Sequence, residues 1–96
     1  MKRNIAGSRI RAARAMHNPK LTQDELVAQM YIKENLPLSA NMISRMETGD
    51  RYITDQELVA FSRVLQVSTA WLLGETSDPT EKTAANSRRG PARFSR

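Results

Sequence analysis

The sequence has no cysteine among its 96 residues and a single histidine, His17. Without cysteine the chain forms neither disulfides nor thiolate metal sites, and one histidine argues against a histidine-based zinc site or a Ser-His-Asp triad. No apolar run approaches the roughly 20 residues that cross a bilayer, and residues 1–8 lack the apolar stretch of a secretory signal. We therefore expect a cytoplasmic protein with no metal, no cofactor and no membrane partner.

Glycine is scarce as well. The four glycines are scattered along the chain, so no glycine-rich loop is available to hold a nucleotide phosphate. No set of nucleophile, base and carboxylate accompanies the histidine, and we do not expect an enzyme. Basic charge is present instead: 15 Lys and Arg stand against 10 Asp and Glu, for a net charge of +5. That excess favours nucleic acid or another anionic surface as the partner.

The composition changes near Gly74. Residues 1–74 hold nearly all large apolar side chains and carry a net charge of +3, whereas residues 75–96 carry +2 and one large apolar side chain, Phe94. So little apolar surface cannot offset the entropy of ordering. We predict one domain over 1–74 and a flexible, disordered basic tail over 75–96. Its stretch 88–93 either contacts DNA phosphates or is simply solvated, and we favour the second.

The local signals within the domain are those of helices. Thr22 and Thr54 each begin a Thr-x-x-Glu capping box, in which the threonine hydroxyl accepts from the amide three residues on and the glutamate reaches back. Apolar residues at helical spacing follow each box; they are Leu26, Val27 and Met30 after the first, and Leu58, Phe61 and Leu65 after the second.

Three further helices complete an all-α domain. The first spans residues 4 to 16, approximately, before Pro19 breaks it. Ser39 caps a third helix that ends at Gly49 as a left-handed C-cap, and Ser68 begins a short fifth helix. Methionines at helical spacing are assigned to the core: Met16, Met30, Met42 and Met46.

The second and third predicted helices are close in sequence, with Pro37 between them. Proline cannot continue a helix, so a turn separates the two after the second helix has extended past Tyr31. Many all-helical domains contain such a pair. In DNA-binding proteins that use a helix-turn-helix, the second of the two helices enters the major groove.

Three motifs carry a family resemblance. They are Leu-Thr-Gln-Asp-Glu-Leu at 21–26, Ile-Ser-Arg-Met-Glu-Thr-Gly at 43–49, and Leu-Gln-Val-Ser at 65–68 followed by Trp-Leu-Leu-Gly at 71–74. In this order and spacing they resemble the Cro/repressor-type helix-turn-helix domain, also called the xenobiotic-response-element family. The resemblance spans residues 8–73 and implies a compact five-helix, lambda-repressor-like fold that binds double-stranded DNA.

The sequence departs from the family pattern at two places. Residues 31–38 stand where most members have a two-residue turn, and the chain is similar to a subgroup with a lengthened turn. Ala40 stands where well-known phage repressors have a polar side chain that contacts a base. Alanine offers only a methyl contact there, for example to thymine.

The resemblance also implies the DNA contacts. Asn41 would pair with adenine, and Arg45 with guanine or a phosphate. Gln23 either binds a phosphate or faces solvent, and Ser39 divides between helix cap and phosphate donor. The implied DNA-binding set is Gln23, Ser39, Ala40, Asn41, Ser44, Arg45, Arg51 and Tyr52. Its last two members would contact the DNA backbone, although Tyr52 has packing over the domain surface as an equal alternative.

Two further roles follow from the resemblance. Arg14 and Glu47 would form an internal ion pair that ties the first helix to the end of the third. Because one helix-turn-helix contacts only a few base pairs, we expect a homodimer on a palindromic site, with Trp71 or Leu72 at its interface. A monomer that dimerises only on DNA is the alternative.

The leading interpretation of function is a sequence-specific transcriptional regulator, and more narrowly a repressor of prophage or mobile-element type. The alternative is an antitoxin-type protein-binding module that also regulates its own promoter, with residues 75–96 ordering on a protein partner.

Overall fold

A computed structural model of the chain describes residues 2–81. Within this range there are five helices and no strand: α1 (Gly7–Met16), α2 (Gln23–Glu34), α3 (Ala40–Thr48), α4 (Asp55–Leu65) and α5 (Thr69–Leu72). The predicted compact, five-helix, all-α fold is confirmed. From residue 82 onward the predicted basic tail lies outside the described residues.

Side-chain caps begin four of the five helices, as their sequences predict. Thr22 Oγ1 accepts from Glu25 N at 3.0 Å while Glu25 Oε1 accepts from Thr22 N at 2.8 Å. The same reciprocal pair joins Thr54 and Glu57. The hydroxyls of Ser39 and Ser68 cap α3 and α5, respectively. Each cap satisfies an amide that the helix itself leaves free, which stabilises a helix by about 1 kcal/mol.

The first helix begins later than its sequence pattern predicts. It starts at Gly7, and the side chain of Asn4 bonds both to this helix start and to distant parts of the chain. Asn4 Oδ1 accepts from Gly7 N at 2.7 Å, and Asn4 Nδ2 donates to the carbonyl oxygens of Met46 and Arg51 at 3.0 and 2.7 Å. Residues 2–6 thus form an N-terminal arm that lies against the end of α3.

Half of the lengthened segment, residues 31–34 of 31–38, is helix. α2 continues through Glu34 and ends at Asn35, whose φ of 56° is left-handed. Leu36 N then donates to Met30 O at 3.2 Å, which closes the helix end. Pro37 and the buried Leu38 lead directly to Ser39. The extra residues therefore lengthen both α2 and the turn that follows it.

The core lies where α1 packs on α3, α4 and α5, and where α2 packs on α3 and α4. Its largest fully buried side chains are Phe61, Ile10, Leu26, Met30, Ile43, Met46 and Leu72. Each such side chain contributes about 1.5–3 kcal/mol by leaving water. Met30 and Met46 are in the core as predicted, and Met42 packs against it. Met16 is 53 % exposed, so its assignment to the core was wrong.

Residues just beyond the predicted domain boundary pack back onto the helices. Glu75 N donates to Ala70 O at 2.8 Å, and Pro79 O accepts from Ser68 N at the same distance. Thr76 O accepts from the Arg9 guanidinium at 3.4 Å. Each of these bonds is accepted by a backbone carbonyl oxygen. The prediction of a disordered tail rested on the number of large apolar side chains, which says nothing about such bonds. The ordered chain consequently continues past Gly74 to the end of the described range.

Candidate nucleic-acid interface

α3 divides into a buried side and a polar side. Ile43, Met46 and Glu47 are buried against the rest of the domain. Asn41 and Arg45 are exposed on the opposite side, while Ala40 and Ser44 are partly exposed. The structure thus brings together four of the predicted contact residues on one outward surface, which we call the α3 face. Side chains three and four positions apart share a helix face, so the grouping follows directly from the sequence spacing.

Ser39 fills the capping half of its two predicted roles. Its hydroxyl oxygen accepts from Met42 N at 3.0 Å. The hydroxyl hydrogen remains available as a donor, because a hydroxyl both donates and accepts. Ser39 is exposed at the start of the α3 face.

Gln23 is held by an internal contact that sequence spacing does not reveal. Its Nε2 donates to Glu47 Oε1 at 3.0 Å. The side chain is half-buried at the first position of α2, where backbone amides favour anions. Its orientation is therefore set by α3, and neither of the two predicted environments of Gln23, phosphate or plain solvent, describes this contact.

Arg14 and Glu47 are joined by two hydrogen bonds. Arg14 Nε donates to Glu47 Oε2 at 2.6 Å and Arg14 Nη2 to Glu47 Oε1 at 2.9 Å. The Glu47 side chain is only 3 % exposed, so the pair lies largely out of water. The hydrogen bond to Glu47 raises the pKa of Arg14 above its usual value, despite the opposing effect of burial. The guanidinium also donates to Leu21 O at 2.9 Å, just before α2.

The loop between α3 and α4 presents Arg51 and Tyr52 beside the α3 face. Gly49 ends α3 with a φ of 89°, a left-handed conformation that glycine adopts without steric cost. Tyr52 is 66 % exposed, so packing over the domain does not cover it. Its ring lies under the guanidinium of Arg3 at 5.5 Å.

Sequence reasoning missed the residues that hold this loop and α3 in place. Asn4 bonds to both, as described above. Gly7 lets α1 approach α3 so closely that a Cβ there would collide with Met46 O. A glycine inside a helical pattern is a usable signal of such close packing. The Asn4 contacts span more than 40 residues of sequence, and no local pattern indicates them.

Trp71 and Leu72, the predicted interface residues, are part of the core of the single chain. Leu72 is 0 % exposed and Trp71 is 7 % exposed. The Arg9 guanidinium lies 4.7 Å from the Trp71 ring centroid and donates to Trp71 O at 2.8 Å. In this conformation the two residues offer almost no area to a second copy. The reason is the small size of the domain, which needs its large side chains inside.

Two features that would indicate other kinds of function are absent from the described part of the chain. Within residues 2–81, no helix is long and apolar enough to cross a membrane. The same residues contain no group of three or more His, Cys, Asp or Glu side chains that could hold a metal ion.

A capped helix pair whose second member turns polar side chains outward is typical of helix-turn-helix proteins of the DNA-binding class. The model of a helix-turn-helix family, HTH_3, matches residues 10–72, which is most of the folded domain. The chain belongs to this Cro/repressor-type, or xenobiotic-response-element, family of DNA-binding transcription regulators. No curated protein and no solved structure matches the chain.

Proposed function

We propose that this protein is a sequence-specific transcriptional repressor of prophage or mobile-element type, which reads its operator with the α3 face. The observation that carries the proposal is the division of α3 described above. A rigid helix, buried on one side and capped at both ends, presents an amide and a guanidinium to solvent. Amide and guanidinium groups are the side chains best suited to bidentate contacts with base edges in the major groove.

Asn41 and Arg45 are the residues that contact the base edges in this proposal. Asn41 lies in the first turn of α3, the part of a recognition helix that reaches the bases. Arg45 is one turn further on, and its charge is not neutralised within the domain, since the ion pairs of residues 2–81 join Arg14 to Glu47 and Arg63 to Glu34. Ala40 adds a methyl group and Ser44 a hydroxyl to the same face.

Backbone contacts would flank the bases on both sides. Gln23 and the first amides of α2 meet a phosphate at one side, and Arg51 in the loop after α3 meets one at the other. Such contacts position the protein without carrying sequence information. The bond from Gln23 to Glu47 supports this assignment, because it leaves the carbonyl oxygen and one hydrogen of the amide free while fixing their direction.

To repress transcription, the protein would need only to occupy its operator. A homodimer on a palindromic operator doubles the few base pairs that one domain reads and blocks polymerase without any chemical step. The dimer forms in solution or on DNA, through a surface other than the buried Trp71 and Leu72. A protein partner bound through residues 75–96, as in the antitoxin-type alternative, would be an addition to this function.

The test compares variants on selected and random duplex DNA. Asn41→Ala or Arg45→Ala should each cost about 1–3 kcal/mol on a duplex selected by the wild-type chain, and relax the preference at one base position. Binding to random DNA should fall much less. Arg63→Ala is the matched control, since Arg63 is an exposed arginine at the far end of α4 and should leave both affinities unchanged.

Two results would contradict the proposal. Equal losses on selected and random DNA would make Asn41 and Arg45 backbone contacts rather than base readers. A wild-type chain that binds no duplex DNA at all would overturn the proposed function itself.

A further inference from the structure

Three residues of the N-terminal arm, residues 2–6, make hydrogen bonds to the end of α3 and the loop that follows it. Arg3 N donates to Gly49 O at 2.7 Å, and Lys2 Nζ donates to Thr48 O at the same distance. Asn4 adds its two bonds to carbonyl oxygens of α3 and the following loop. The arm is therefore part of the surface next to the α3 face, although it precedes that surface by more than 40 residues.

The two basic side chains of the arm have different surroundings. The Lys2 ammonium donates a hydrogen bond to a carbonyl oxygen in the last turn of α3, where the helix dipole favours a cation. The Arg3 guanidinium instead lies over the ring of Tyr52, with 5.5 Å between its carbon and the ring centroid. That distance is within the roughly 6 Å over which a cation is attracted to an aromatic face. Lys2 thus caps a helix, whereas Arg3 is oriented but keeps its hydrogen-bond donors.

Basic residues outnumber acidic ones in the arm and in the loop that it contacts, where Lys2, Arg3 and Arg51 stand against Asp50. Arg51 is half-buried in the same loop, and neither arginine belongs to an ion pair within residues 2–81. The nearest acidic residue in the loop, Asp50, accepts a hydrogen bond from Thr48 Oγ1 at 3.1 Å. A pre-oriented guanidinium suits a phosphate group, whose oxygens accept its planar, paired donors well.

We infer that Arg3 is a DNA-binding residue, which contacts a backbone phosphate on the side of the α3 face where Arg51 lies. Tyr52 acts as a positioning residue that holds the Arg3 guanidinium. This inference rests on the proposed function and adds to its surface a residue that lies outside the helix-turn-helix. The ligand is a phosphate of duplex DNA, and the contact is independent of base sequence.

The first experiment measures how the affinity of the full chain for one selected duplex depends on salt. Removal of one phosphate contact lowers the slope of log K against log salt by about 0.9. Arg3→Gln should therefore weaken binding about 8-fold at 0.1 M salt and about 3-fold at 0.3 M salt. Its loss should be the same, in fold-change, on random DNA. Arg63→Gln, the matched control, should keep the wild-type slope.

The second experiment tests the role of Tyr52 by a double-mutant cycle. Tyr52→Leu should weaken binding in the wild-type background and have no further effect when Arg3→Gln is already present. Tyr52→Phe should behave as wild type, because it keeps the ring. Additive effects of Arg3→Gln and Tyr52→Leu would overturn the positioning role, since Tyr52 would then contact DNA independently of Arg3.

The results separate the inference from the proposed function. Wild-type binding to duplex DNA with an unchanged salt slope for Arg3→Gln overturns the inference and leaves the proposed function standing. No binding by the wild-type chain overturns the proposed function. Thermal unfolding of each variant checks that it is folded, and Arg3 is exposed, so no loss of the fold is expected.

Discussion

At the scale of single residues, Glu47 connects three parts of the domain. Its carboxylate accepts from Arg14 on α1 and from Gln23 at the start of α2, while its own helix carries the α3 face. One buried carboxylate thereby helps to set the position of the start of α2 relative to the α3 face. The family resemblance implies the pair of Arg14 and Glu47. The contact with Gln23 depends on how α2 lies against α3, which spacing within one helix does not determine.

This arrangement predicts an asymmetric double-mutant cycle for stability. Arg14→Met leaves a buried carboxylate without its cation, and a broken buried pair costs about 3–5 kcal/mol. Glu47→Leu should cost less, because the Arg14 side chain is 15 % exposed and can turn toward water. The double variant should be milder than either single one. Denaturant unfolding measures all three, and additive losses would contradict the pairing.

At the scale of elements, the start of each of α2, α3, α4 and α5 could be predicted because it is set locally. A capping serine or threonine and the amide it binds lie three residues apart, so the signal is complete in a short stretch of sequence. The start of α1 could not be predicted, because Asn4 makes its bonds to residues far along the chain. The end of α2 was predicted only as lying beyond Tyr31, and a left-handed Asn35 decides it.

The packing of α1 on α3 predicts a strong effect at Gly7. Gly7→Ala should lower the free energy of unfolding by about 1–3 kcal/mol, because the added methyl group meets the backbone of α3, which can move aside only with its helix. Ser8→Ala is the matched control: Ser8 is the next residue of the same turn and is exposed, so its change should stay within about 0.5 kcal/mol. Equal stability of the two variants would contradict the close approach.

At the scale of the whole molecule, the excess of basic charge is divided among different tasks. Arg14 is neutralised internally, Lys2 caps α3, and Arg9 covers Trp71. Arg45 lies on the α3 face, Arg51 in the loop that follows α3, and Arg3 on the arm that is hydrogen-bonded to the end of α3. Net charge predicts the class of partner from composition alone. The role of each basic residue cannot be predicted from composition, because contacts such as the one between Arg9 and Trp71 join distant parts of the chain.

Selection of bound duplexes from random-sequence DNA by the full chain tests the central claim most directly. If the α3 face reads bases, the wild-type chain should enrich one sequence with two symmetric half-sites whose centres are about 34–36 Å apart, or a multiple of that distance. The variant with both Asn41→Ala and Arg45→Ala should still retain DNA but enrich no sequence. A wild-type selection that enriches no sequence, or a variant that enriches the same sequence as wild type, would contradict the account.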